Sequence, residues 1–265
     1  MSELIAIVSG GSSGIGRAVA ELLALSGCRV FELSRREQGA AEYGVIHIQA
    51  DICDETRVRQ AVEEIVAAES RIDVLINNAG FGISGAFEFC DGAACEQQLA
   101  VNLFGMANLT RAVIPHMRRQ GWGRIINVSS VAAETPIPFQ AWYSASKAAI
   151  NSLTMALANE LRPFDIQVCA VMPGDICTGF TQARSKVPTG DDVYQGRISR
   201  AVGQMEADEQ NGMAARCVAE KICRLAFSRR LRPLYTVGGK YQFFVFLSRV
   251  LPKRLVNWII GKMYG

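Results

Sequence analysis

Residues Leu4–Ser9 form an almost unbroken run of apolar, mostly branched side chains, and the chain passes directly from them into Ser9-Gly10-Gly11-Ser12-Ser13-Gly14-Ile15-Gly16. Such a run suits a parallel strand buried on both faces. Arg17 to Ser26 follows as a helix, with Ala18, Val19, Leu22, Leu23 and Leu25 apolar. Strand, glycine-rich turn and helix in immediate succession constrain the fold more than any other stretch, because they open a βαβ unit. The turn lets backbone N–H groups and the positive end of a helix approach one anion, as a pyrophosphate requires. A tight turn with no ligand is the ordinary alternative. The flanking strand and helix favour a dinucleotide held by Gly10, Ser12, Ser13, Gly14, Ile15 and Gly16.

The alternation continues. Cys28–Ser34 predicts a second strand, Val45–Ala50 a third and Ile72–Ile76 a fourth, with an amphipathic helix over Glu55–Glu69. A long helix contains Asn102 and ends near Arg119; strand Arg124–Val128 then delivers Ser129-Ser130, and Val168–Met172 is another branched apolar strand. Strands and helices at this spacing predict an α/β fold, a single-domain, Rossmann-like, doubly wound parallel sheet flanked by helices. Ligands of such sheets bind at the C-terminal ends of the strands. The length of 265 residues, 49% of them hydrophobic, with no repeat or low-complexity linker, agrees with one domain.

Ser34-Arg35-Arg36 closes the second strand, where a carboxylate would hold a ribose diol and repel a 2′-phosphate. Arginine does the reverse: it pairs with phosphate and stacks on adenine, so these residues favour NADP(H) over NAD(H). Two solvated surface arginines are the plain alternative. Asp51-Ile52, after the third strand, is placed to meet the adenine edge, and Asn78, Ala79 and Gly80 end the fourth strand beside the same crevice.

Tyr143-Ser144-Ala145-Ser146-Lys147 puts a phenol and an ammonium one helical turn apart on the same face. A phenol of ordinary pKa, ~10, is a poor acid-base catalyst at neutral pH, and a neighbouring cation is expected to lower it. The pair also arises by chance on helix surfaces. Pro136 and Pro138 punctuate the loop between Ser130 and Tyr143, so the two are expected to face one pocket from separate elements.

With these residues in place the chain resembles the short-chain dehydrogenase/reductase family across at least residues 4–180. The motifs are Ser9-Gly10-x-x-x-Gly14-Ile15-Gly16, Asn77-Asn78-Ala79-Gly80, Asn102, Ser130, Tyr143-x-x-x-Lys147 and Pro173-Gly174, with Ser9 where the family usually carries Thr. The resemblance implies interconversion of a ketone and a secondary alcohol. Tyr143 exchanges a proton with the oxygen, Ser130 holds that oxygen, Lys147 binds the nicotinamide ribose and lowers the Tyr143 pKa, and Asn102 holds a relay water. Pro173, Gly174, Ile176 and Thr178 match positions that pass the nicotinamide. A homodimer or homotetramer through the helices carrying Asn102 and Tyr143 is implied in the same way.

Residues 181–215 are polar and irregular, with Met205 and Met213 among few large apolar groups, and are expected to be a substrate lid or a disordered loop. Cys217–Phe227 reads as a helix and Pro233–Val237 as a last strand, which leaves 240–265 as a basic, amphipathic helical extension to a 1–239 domain. Charge is divided unevenly: residues 1–215 hold 17 Lys/Arg against 24 Asp/Glu, a balance of −7, and residues 216–265 hold 11 against 1, a balance of +10. The tail's apolar runs fall short of the ~20 consecutive residues that a spanning helix needs. Lys240, Arg249, Lys253, Arg254 and Lys262 beside aromatic residues suit peripheral contact with an anionic membrane surface, whereas helical apolar spacing also suits packing on the chain's own domain.

Either placement points to a lipophilic substrate such as a steroid or keto lipid. A smaller β-ketoacyl or xenobiotic carbonyl is the second expectation, and an NADP(H)-binding protein without catalysis the third. No nucleic-acid partner is expected, since the basic groups are interleaved with large apolar ones. Eight cysteines without a Cys-x-x-Cys pair, and two histidines, predict no metal site and free thiols in a reducing cytoplasm. The N-terminus, lacking a basic region before its apolar run, argues against a secretory signal.

Overall fold

A computed structural model describes residues 3–37 and 42–264, so Met1, Ser2 and Gly265, the outer ends of the N-terminal and tail readings, lie outside the described residues. Seven parallel strands form the central sheet: β1 (Ile5–Ser9), β2 (Arg29–Ser34), β3 (Ile46–Gln49), β4 (Val74–Asn77), β5 (Gly123–Val128), β6 (Ile166–Pro173) and β7 (Leu234–Val237). Their order across the sheet is β3-β2-β1-β4-β5-β6-β7. The order reverses at β1, and the neighbours β1 and β4 are in register, Ser9 opposite Asn77. Their C-terminal ends therefore open one crevice at the switch point.

Residues of β1 alternate between two cores. Ala6 and Val8 face α1 (Gly14–Leu25) and α8 (Ala215–Ala226), where Val19, Leu23, Val218 and Ile222 are fully buried. Ile5 and Ile7 face α2 (Glu55–Glu69) and α4 (Met106–Gln120), which contribute Val58, Ile65, Leu109 and Met117. The sheet is thus covered on both faces, which explains why its strands lack the apolar-polar alternation of a half-wet sheet.

The long helix expected to carry Asn102 is interrupted. Helix α3 (Gly92–Leu99) runs into one π-helical turn, Ala100–Gly105, before α4 begins. Helix α5 (Ala141–Glu160) carries Tyr143 and Lys147. The stretch 181–215, read from sequence as irregular, is corrected by the structure: after a short helix α6 (Phe180–Ala183) it holds the 14-residue helix α7 (Arg197–Gln210). Its three buried apolar residues, Ile198, Ala201 and Met205, recur every three or four positions on one face.

The tail forms two helices, α9 (Gly239–Val250) and α10 (Lys253–Tyr264), separated by Pro252. One side of each packs on the domain through Val245 and Ile260, while Phe243, Phe246 and Trp258 stay about 60% exposed. Among the described residues no helix is long and apolar enough to cross a membrane.

Candidate active site

A cleft of about 950 Å³ runs along the C-terminal ends of the strands and is bordered by Gly10, Ser12, Ser13, Gly14 and Ile15. Backbone crowding dictates the glycines. Gly10 has φ +67°, and a Cβ there would lie 2.9 Å from Ala79 Cα; a Cβ on Gly16 would lie 2.3 Å from the Gly10 carbonyl oxygen. Gly16 is buried and supports the turn from behind, outside the cleft lining.

The Ser9 hydroxyl accepts from the backbone N–H groups of Asn78 (3.0 Å) and Ala79 (3.2 Å), while the Asn78 amide donates to the carbonyls of Ser9 (3.1 Å) and Gly10 (3.2 Å). The Ser9 hydroxyl therefore staples the ends of β1 and β4. Helix α1 has no side-chain cap on its first turn, and its first residues, Gly14 and Ile15, line the cleft. Uncapped N–H donors and space that a Cβ would fill are what a pyrophosphate requires, so the residues present fit a dinucleotide.

At one end the cleft is lined by Ser34, Arg35, Arg36, Asp51 and Ile52, as the sequence predicts. A neighbouring recess adds Arg57 of α2, which the sequence does not single out. Its Nε donates to the Gln49 carbonyl at 3.0 Å and fixes the guanidinium at the end of β3. The Asp51 carboxylate accepts from the Cys53 N–H at 2.9 Å and turns the chain there.

Toward the centre, Ser130, Tyr143 and Lys147 line the same cleft. Ser130 caps a single 3₁₀ turn, its hydroxyl accepting from Ala132 N–H at 3.1 Å. The Lys147 ammonium is buried and donates to the Val128 carbonyl at 2.9 Å; burial alone lowers its pKa to about 8. The expected depression of the Tyr143 phenol by Lys147 is not found. Burial pushes that phenol up to about 12, against a weaker downward pull from a hydrogen bond with Ser130. Lys147 instead lies 5.6 Å from the centroid of the Tyr143 ring.

Asn102 sits in the π-helical turn, buried behind the cleft. Its amide donates to the Phe81 carbonyl (2.9 Å) and the Ser146 hydroxyl (3.1 Å) and accepts from Phe81 N–H (3.0 Å). The side chain thus clamps the segment leaving β4 onto α5. A Cβ on Gly80 would stand 3.0 Å from the Asn102 side-chain oxygen and 3.6 Å from Lys147 Nζ, so this glycine keeps the space between them open.

Pro173, Gly174, Ile176 and Thr178 line the opposite wall. Beyond them the cleft is bordered by residues that sequence reasoning did not assign to it: Phe81, Gln97, Phe180, Glu209 and Tyr264. The Phe180 ring lies 5.7 Å from that of Tyr143. Glu209 accepts from the Thr181 hydroxyl at 2.6 Å and pairs with the buried Arg184. Phe180 lies two residues beyond Thr178 and is within reach of a local reading. Glu209 and Tyr264 arrive from α7 and α10, and nothing near them in sequence signals the cleft. Among the described residues no cluster suited to a metal ion occurs.

Comparison with known proteins matches this arrangement. The family described as short chain dehydrogenase matches residues 4–188. A protein of Bacteroides thetaiotaomicron named 3-ketodihydrosphingosine reductase is 37% identical over 266 residues, covering 99% of this chain and 96% of its own. A solved short-chain dehydrogenase from Streptomyces avermitilis superposes with a TM-score of 0.84 at 29% identity, covering 99% of this chain and 98% of its own. The 3-ketoacyl-(acyl-carrier-protein) reductase of Brucella melitensis, solved with NADH, gives 0.76 at 27% identity, covering 90% and 98%. The chain belongs to the short-chain dehydrogenase family.

Proposed function

We propose that this oxidoreductase interconverts a ketone and a secondary alcohol on a lipophilic substrate and uses NADP(H). The carrying observation is that Ser130, Tyr143 and Lys147 share one cleft with the glycine cradle. The bound nicotinamide supplies or accepts the hydride. In the reductive direction the Tyr143 phenol gives its proton to the substrate oxygen while the carbonyl carbon gains the hydride, which leaves an alcohol and a phenolate. Ser130 donates a hydrogen bond to that oxygen and fixes it within reach of Tyr143. The Lys147 ammonium holds the ribose through a charge-assisted hydrogen bond. Asn102 keeps Phe81 and α5 in place, and through them the floor on which a relay water would rest.

Arg35 and Arg36, joined by Arg57, support NADP(H) through charge-assisted contacts to a 2′-phosphate. Phe81, Phe180, Met205 and Tyr264 give the substrate end an apolar surface, and the name of the Bacteroides relative agrees with a long-chain ketone. Residues 181–215, with α7 as their stiffest part, act as the cover over that end, and 240–265 as an extension of the 1–239 domain. The Brucella reductase favours a second reading, a shorter β-ketoacyl substrate. Exposed Phe104, Leu153 and Met155 on the helices around Asn102 and Tyr143 suit a homo-oligomer, and eight free cysteines suit a reducing cytoplasm.

The deciding measurement is turnover of NADPH and of NADH against a panel of steroid, long-chain and short β-keto substrates. Preference for NADPH with long-chain ketones is expected. Absence of turnover with every ketone would leave a nucleotide-binding protein and overturn the assignment.

A further inference from the structure

Helices α9 and α10 have two unlike sides. The inner side is committed: the Tyr241 hydroxyl hydrogen-bonds the Asp175 carboxylate, the Tyr264 hydroxyl donates to Asp208 at 3.1 Å, and Val245 and Ile260 are buried. The outer side presents Phe243, Phe246 and Val250 at 60–65% exposure on α9, and Leu255, Trp258 and Met263 at 41–60% on α10. Phe243, Phe246 and Val250 recur at helical spacing, as do Leu255 and Trp258, so each helix carries an apolar stripe that its own domain does not cover. Exposed apolar stripes of this kind mark an interaction site.

The charge bordering the stripe selects the partner. Residues 221–265 contain no aspartate or glutamate, and Lys240, Lys253, Arg254 and Lys262 are exposed there. A second copy related by a two-fold axis would bring this like charge against itself. We infer that the outer face of α9–α10 docks on an anionic lipid surface, the aromatic stripe entering the interfacial zone and the four cations meeting the headgroups. The helices lie along the surface, since neither is long enough to cross. Their inner faces supply Tyr264 to the cleft and set Tyr241 against Gly174, so the docked face backs the wall of the substrate end. Docking is independent of the reaction assigned above.

The test is sedimentation of the full chain with vesicles of phosphatidylcholine, or of phosphatidylcholine mixed with phosphatidylglycerol, at low and high salt. The intact protein is expected to pellet with the anionic vesicles and to be released by salt. Arg254→Gln with Lys262→Gln should weaken that binding roughly 30-fold and flatten its salt dependence. Phe246→Ser with Trp258→Ser should weaken it by roughly tenfold or more, with thermal unfolding in solution unchanged. If the serine variant melts early, the glutamine variant, which alters only exposed charge, decides. Intact protein remaining in the supernatant with both vesicles overturns the proposal, as does undiminished binding by the variants. A serine variant that merely falls from a larger oligomer to a smaller one, with no vesicle binding by the intact chain, assigns the face to a second copy and overturns it equally.

Discussion

The buried Lys147 ammonium donates a hydrogen bond to the carbonyl oxygen of Val128, 2.9 Å away, at the end of the interior strand β5. The contact holds the cation beside the cleft yet leaves its pKa lowered to about 8 by burial. The charge that is to hold the ribose is therefore lost at mildly alkaline pH. Affinity for NADPH, measured by fluorescence titration, is expected to be level below pH about 8 and to fall above it.

Stability carries the opposite sign for this group. The lysine value drops from 10.5 to about 8 on folding, so the unfolded chain binds more protons in that window and the Lys147 contribution to stability rises with pH across it. Tyr143 goes from 10.0 to about 12, so its contribution falls as pH rises across that higher window. Denaturant titrations at several alkaline pH values should show less gain from the lower window in Lys147→Met than in the parent chain.

Tyr143→Phe removes the only proton the mechanism transfers and keeps the ring against Phe180. The variant should fold and bind NADPH like the parent, with turnover lower by roughly 10²–10⁴-fold. Stopped-flow measurement of NADPH oxidation checks it, and near-parental turnover would remove Tyr143 from the role of acid.

Arg35→Ala should raise the Michaelis constant for NADPH roughly tenfold or more, through loss of a charge-assisted contact, and leave that for NADH nearly unchanged. Arg57→Ala should act in the same direction and less strongly, because Arg57 also pairs with Glu64 at 2.8 Å. Equal effects on the two nucleotides would show that neither guanidinium reads the 2′-phosphate.

Gly174→Ala would put a Cβ 2.2 Å from the Tyr241 ring. Overpacking there should cost about 1–3 kcal/mol of stability. Tyr241→Ala in the same chain should return part of that loss, and the coupling from a double-mutant cycle in urea measures the contact. Strictly additive losses would mean that the tail does not rest on this turn.

The sheet and the cradle were legible because their signals are local. Apolar runs ending in glycine or serine, such as Leu4–Ser9 with Gly10, need no knowledge of distant residues, and the order of Ser130, Tyr143 and Lys147 follows from strand and helix succession. The π-helical turn at Asn102 was not legible, since its residues, Ala100 to Gly105, carry the same helical character as their flanks. Helix α7 is masked by composition: Ile198, Ala201 and Met205 are its only buried residues, and polar residues dominate the rest. The raised Tyr143 pKa is not legible because sequence spacing gives the nearness of a cation and not the burial that raises the phenol. Glu209 and Tyr264 were invisible because their place in the cleft depends on how α7 and α10 dock.

The cleft is assembled from pieces that leave the ribosome far apart in time. Its glycine cradle is encoded before residue 20, whereas Tyr264 follows only after every strand of the sheet has been made. A chain that stopped ahead of α9 would carry every residue of the glycine cradle and lack the Tyr264 edge of the cleft.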